Sequence, residues 1–180
     1  TTLQIPNVAN SIDNSQFRYI IAQTSGTTTC YDTSNLVSLI IVKPTIDNQS
    51  INATVCNGSN TFFGVDATAN DNGQLTYQWQ ESSDGATFTN LSNDAVFSDV
   101  DKDTLRLSSV PISKNTFKYR VIITETAGTI SCNDTADIVM LTVNALPIIT
   151  IANQAVCADA TTVNLTNLEP AGQTGGTWKT

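Results

Sequence analysis

Apolar and polar residues alternate in short runs along the middle of the chain, with a period of two. Phe63, Val65 and Ala67 fall on one side of one run, and Leu75, Tyr77 and Trp79 on one side of the next. Tyr119, Val121 and Ile123 repeat the pattern, as do Val139, Leu141 and Val143. Successive side chains of a strand point to opposite faces, so each run predicts a strand with one buried face. Gln78, Gln80, Lys118 and Arg120 are then expected to face water. Turn signals NDNG at Asn70 to Gly73, SSDG at Ser82 to Gly85 and TAGT at Thr126 to Thr129 divide the runs at hairpin spacing. About seven short strands in a hundred residues, with Trp79 on the third and Tyr119 starting the sixth, predict an all-β immunoglobulin-like sandwich. Its expected core includes Phe63, Trp79, Tyr119 and Val121. The positions that carry the inter-sheet disulfide in antibody-type domains read Phe63 or Val65 and Val121, so aromatic and aliphatic packing must hold the sheets together.

The pattern occurs more than once. FRYIIAQTSGTTTC at Phe17 to Cys30 nearly copies FKYRVIITETAGTISC at Phe117 to Cys132, and TLQIPNV from Thr2 matches TLRLSSV from Thr104. Toward the other end, NATVCNGSNTFFGVDATA from Asn52 resembles NQAVCADATTVNLTN from Asn153, and each is followed by a tryptophan, Trp79 or Trp178. Offsets near 100 residues mark a tandem array of whole domains, since solenoid repeats are far shorter. One complete repeat with its linker is expected over 45–147, bounded by Pro44 and Pro147. Residues 1–44 match the C-terminal half of a repeat, and residues 148–180 the N-terminal half.

Charge narrows the function. Charged residues make up 13% of the chain and the formal net charge is -8. A phosphate-backbone partner needs clustered Lys and Arg, so nucleic acid is not expected. Histidine is absent, which removes the usual general base near neutral pH and the commonest zinc ligand. No apolar run reaches the roughly 18 to 20 residues that span a bilayer, and the first residues lack the basic and apolar regions of a signal peptide. This segment is expected to be an internal or mature piece that does not insert in a membrane. Cys30, Cys56, Cys132 and Cys157 lack CxxC spacing and lie among hydroxyl and amide residues, which points to an oxidising, extracellular setting. A Cys56–Cys132 bridge inside the repeat would close a long loop and is one arrangement. Bridges between repeats are the other, and the expected positions of the two cysteines at opposite ends of the sandwich favour them.

LTYQWQESSDGATFTNLSN from Leu75, with VCNGS before the second strand and a closing LTVN, resembles the immunoglobulin-like tandem repeats of large cell-surface and secreted proteins of Bacteroidota. Those include SprB-like gliding-motility adhesins exported by the type IX secretion system. The resemblance implies a non-catalytic module of an extracellular surface filament or stalk serving cell adhesion. It also implies Asp-Ser/Thr-apolar O-glycosylation sites, matched at Thr104 and Thr135. The partners expected are neighbouring repeats of the same chain or another copy joined head to tail, with surfaces or polysaccharides as the adhesion target.

Other motifs have plainer readings. Asp99, Asp101 and Asp103 show the alternating carboxylates of a calcium loop, yet the Gly and the distant Glu of an EF-hand are missing, so a solvated turn is the simpler reading. Calcium is the one cofactor the sequence suggests. Glu81, Asp84 and Glu125 are placed on loops or outward faces, which leaves no facing carboxylate pair for glycosidase chemistry, and no enzyme activity is expected. A carbohydrate-binding accessory module of a secreted polysaccharide-degrading enzyme is the alternative function. It would need exposed coplanar aromatics, for which Phe88 and Tyr31 are the nearest candidates, because Trp79 belongs to the inward series.

Overall fold

The computed structural model describes residues 2–6, 8–70, 73–148 and 177. The chain divides into Thr1–Asn144 and Ala145–Thr180. Cys157 and Trp178 lie outside the described residues.

Strands β1 (Gln16–Phe17), β2 (Ile20–Ser25), β3 (Thr28–Thr33) and β4 (Val37–Ser38) form two small antiparallel pairs, β1 with β4 and β2 with β3. The rest of this unit is a two-layer sandwich. It comprises β5 (Thr45–Gln49), β6 (Ala53–Cys56), β7 (Thr61–Thr68), β8 (Gln74–Ser82), β9 (Thr89–Asn90), β10 (Phe97–Ser98), β11 (Thr104–Leu107), β12 (Lys118–Ala127), β13 (Ile130–Thr135) and β14 (Val139–Asn144). One sheet runs β10-β11-β7-β5 and the other β6-β14-β12-β8-β9, with β13 also paired to β12. Lettered in chain order, these are D-E-B-A facing A′-G-F-C-C′, which is the strand order of an immunoglobulin-like sandwich. The fold is therefore all-β and immunoglobulin-like. The first strand is split: β5 pairs antiparallel with β7, whereas β6 crosses to the other sheet and pairs parallel with β14.

The core follows the period-two pattern. Phe63, Val65, Trp79, Tyr119, Val121, Ile123, Val139, Leu141 and Val143 are buried, while Ala67, Leu75 and Tyr77 are half-buried toward one end. Phe63 stacks on Tyr119 with ring centroids 5.4 Å apart, and Phe97 closes on the same ring at 6.1 Å. This aromatic cluster occupies the space between the sheets where antibody-type domains place a disulfide. Trp79 ties the layers together: its indole Nε1 donates to the Lys102 carbonyl at 2.8 Å, and its backbone bonds to Val100 and Leu91.

Gln80 departs from the expected water-facing row, being 8% exposed. Its amide donates to Asn90 Oδ1 at 2.7 Å and accepts from Arg120 Nε at 2.8 Å, and the Arg120 guanidinium lies 4.1 Å from the Phe88 ring centroid. Short strand β9 and the Phe88 side chain cover the outward face there, so a residue with the right parity for solvent is buried in a satisfied polar ladder.

One core polar atom lacks a partner among the described residues. Tyr119 Oη is buried without a hydrogen bond, and burial followed by the nearby Glu81 charge pushes its phenol well above the usual range. An unpaired buried hydroxyl costs about 1–3 kcal/mol. Tyr119→Phe keeps both ring contacts and removes that group, so we expect the substitution to raise stability by roughly 1 kcal/mol. Denaturant midpoints check this, and a clear loss of stability would show that the hydroxyl is satisfied.

Candidate functional site at the joint between repeats

Residues 9–41 repeat the local structure of residues 111–143 at a constant offset of 102 positions. The turn Asn10–Ile12 answers Ile112–Lys114, and the left-handed residues Asn14 (φ 60) and Thr116 (φ 67) follow at the same interval. Phe17↔Val37 repeats as Tyr119↔Val139, and Gln23↔Cys30 as Glu125↔Cys132. Ser34 N–H to Tyr19 O recurs as Ala136 N–H to Val121 O. Asp13 Oδ1 accepting the Ile41 N–H recurs as Asn115 Oδ1 accepting the Val143 N–H. Phe17 therefore corresponds to Tyr119, not to Phe117 as the matching letters suggest. A gap-free comparison run backward from Cys30 and Cys132 contains that register. The position equivalent to Tyr119 carries no hydroxyl, in keeping with the unpaired Oη above.

Where the first repeat ends and the complete module begins, a small set of polar contacts forms a joint. Asn70, in the loop between β7 and β8, donates its side-chain amide to the Ile41 carbonyl at 2.7 Å and reaches Asp13 Oδ2 at 3.4 Å. Its backbone N–H is held by Glu125 Oε2 at 3.1 Å. Glu125 is fully buried, which corrects its expected outward placement. Residue 73 must be glycine for this carboxylate to fit, since a Cβ there would lie 2.6 Å from Glu125 atoms. Lys43 forms an ion pair with Asp134 at 3.1 Å, and Pro44 is fully buried. Ile40 and Val42 of the first repeat share an open groove with Gln74, Thr126, Gly128 and Ile130 of the module. Of these joint residues the sequence marked Pro44 as a boundary and Asn70, Gly73, Thr126 and Gly128 only as turn positions, and it placed Glu125 outward. Their signal is the NDNG turn followed, after one strand pair, by an acidic residue at an inward-parity position.

The two cysteines of the module sit at its opposite poles. Cys56 pairs with Asn144 in the parallel β6–β14 ladder, four residues beyond the Lys118↔Met140 pair. Cys132 lies opposite Glu125, seven residues to the other side. About 11 residues of strand, roughly 36 Å, separate them, and a disulfide needs Cα atoms within about 7 Å. The bridge inside the repeat is thereby excluded by geometry. Cys30 and Cys56 are exposed, and Cys132 is half-buried.

Asp99, Asp101, Asp103 and Thr104 line one open groove beside Tyr77, whereas the other candidates lie apart from it. Asp99, a left-handed residue, pairs with Arg106 at 3.2 Å, and Asp101 pairs with Lys102 at 3.2 Å. Asp103 stands near Tyr77, whose phenol is raised by burial and then by the charges of Asp103 and Asp66. No cluster of three acidic, His or Cys side chains suited to a metal ion occurs among the described residues. Glu81 is ion-paired with Lys114 at 2.6 Å. Asp84 accepts from the Ala86 and Thr87 N–H groups and the Ser82 hydroxyl, which hold its carboxyl far below the usual range and fix the turn. Asp94 is lowered in the same way by the Phe97 and Val96 N–H groups. Phe88 is occupied by Arg120, Tyr31 stands exposed, Thr104 is half-buried and Thr135 is exposed.

No family model matches the chain, and no curated protein matches it. Among solved structures, a chimeric titin Z1Z2 carrying an exogenous decorin peptide aligns at 19% identity and TM-score 0.38, covering 59% of this chain and 100% of that one. Tandem Ig repeats of Dlar align at 13% identity and TM-score 0.41, covering 57% of this chain and 49% of theirs. The chain thus spans about half the length of the Dlar repeats.

Proposed function

We propose that this chain is a stretch of a non-catalytic extracellular stalk or filament of serial immunoglobulin-like modules that serves adhesion, in the manner of the SprB-like gliding-motility adhesins of Bacteroidota exported by type IX secretion. The observation that carries the reading is the recurrence of local structure at 102 residues, with the repeats joined by the short Lys43–Pro44 link, whose proline is buried. Modules that contact mainly their neighbours add length in proportion to their number, and ordered links keep the array extended. On this reading the partners are neighbouring repeats, of the same chain or of another copy head to tail, and the adhesive target is a surface or polysaccharide. The carbohydrate-binding alternative has less support, since Phe88 is already stacked on Arg120 and Trp79 is buried.

The test is length. A second copy of residues 43–144 inserted after Asn144 adds one period while keeping the Lys43–Pro44 link. Strands of about ten residues set a module length of roughly 35–40 Å. The maximum dimension from small-angle X-ray scattering should grow by about that much per inserted period. Growth of less than half that value would mean that modules fold back on one another, and the stalk reading would fail.

A further inference from the structure

We infer that consecutive repeats are covalently joined, with the cysteine equivalent to Cys56 in one repeat bonded to the cysteine equivalent to Cys132 in the next. The inference rests on the serial-module reading above and adds the chemistry of its joints. Both cysteines recur, Cys30 with Cys132 and Cys56 with Cys157, and their placement at opposite poles leaves neither a partner in its own module. Across a joint the poles meet. Cys56 lies beside Asn144, one strand away in the β6–β14 ladder, and the 102-residue register makes Val42 the equivalent of Asn144. In an intact preceding repeat, its cysteine therefore flanks Val42. Residues 130, 132 and 134 share one face of β13, because side chains alternate along a strand. Ile130 shares the joint groove with Val42, and Asp134 holds Lys43. Cys132 stands between them on the same face, presented to the end of the preceding repeat.

Bond formation is thiol–disulfide exchange. A thiolate at one of the two positions attacks a disulfide donor of the oxidising medium, small-molecule or protein, and releases one donor thiol. The second cysteine then displaces the other donor thiol. One S–S bond forms, two S–H bonds are lost, and the donor carries away both electrons and both protons as two thiols.

The chain with the inserted copy of residues 43–144 supplies a complete joint. With Cys30 and Cys157 changed to Ser, one version keeps only Cys56 of the first module and Cys132 of the second, which face each other across the joint. A control keeps only Cys132 of the first and Cys56 of the second, which lie at the far ends. After equilibration in a glutathione redox buffer, the facing pair should lose both maleimide-reactive thiols and yield a linked peptide in non-reducing mass mapping, while the control keeps both. Free thiols in the facing pair, or equal bonding in the control, would overturn the inference. Cooperative melting of both versions, followed by Trp79 fluorescence, establishes that the modules are folded when the thiols are read. Extension measured by scattering is a separate readout, so the stalk reading survives or fails independently of the bond.

Discussion

Trp79→Ala should unfold the complete module at room temperature. The indole is 3% exposed, sits at the centre of the sandwich and donates to the Lys102 carbonyl at 2.8 Å. Truncating a buried Trp typically removes about 3–5 kcal/mol, through lost transfer free energy and the cavity left behind. Here the Lys102 carbonyl also loses its donor, and Trp79's position between Val100 and Leu91 means that the chain crossing from β9 to β11 loses its anchor. Small domains hold only about 5–15 kcal/mol in total. Far-UV circular dichroism and urea titration decide it: a variant melting within a few degrees of wild type would place the side chain outside the energetic core. Trp79→Phe fills much of the volume without the hydrogen bond, and an intermediate loss there separates packing from pairing.

The parts of the fold legible in sequence are those with long alternating runs. β7, β8, β12 and β14 each carry several inward residues, and their parity names Phe63, Trp79, Tyr119 and Leu141 without reference to three-dimensional structure. Leu91, Phe97, Val100, Leu105, Leu107 and Val110 are buried as well, but they lie on strands of two to four residues or on connections, where a period cannot be measured. Gln80 and Glu125 were misplaced for different reasons. Parity states which side of a strand a residue occupies, not whether something covers that side, and β9 with Phe88 covers Gln80. Glu125 shares the inward parity of Tyr119, Val121 and Ile123, and its charge argued for water, but the carboxylate is held inside by the Asn70 backbone N–H. The joint was the least legible part, because Asp13, Ile41, Asn70 and Glu125 meet only after both repeats are folded and are separated by up to 112 positions in the chain. What the sequence did carry was the recurrence itself, from which the poles, and hence the separation of Cys56 from Cys132, can be worked out once strands are placed.

Separating the chain at Pro44 should have opposite effects on its two sides. Every residue of the buried core lies between Phe63 and Val143, so residues 45–144 are expected to melt cooperatively at nearly the temperature of the full chain. Residues 1–44 alone should show no cooperative transition. Tyr19, Ile21 and Val37 are 53%, 56% and 62% exposed, whereas their equivalents Val121, Ile123 and Val139 are 0%, 0% and 5% exposed. The local hydrogen bonds are the same in both repeats, so what differs is the opposing sheet that Phe63, Val65 and Leu105 supply to the complete module. A half sandwich gains the hairpin bonds but not the apolar burial that offsets the entropy of ordering its chain. The missing cover can be supplied. Residue 102 precedes Thr1 in the repeat register, so a copy of residues 45–102 fused ahead of Thr1 restores a full module, with Phe63 and Val65 facing Tyr19, Ile21 and Val37 from the opposing sheet and Trp79 beside Tyr19 in its own. That chain should gain a second cooperative transition and protect Tyr19 and Ile21 amides from hydrogen exchange. If those amides exchange as fast with the added half as without it, the two halves do not form one sandwich, and the 102-residue equivalence is confined to local hairpin geometry.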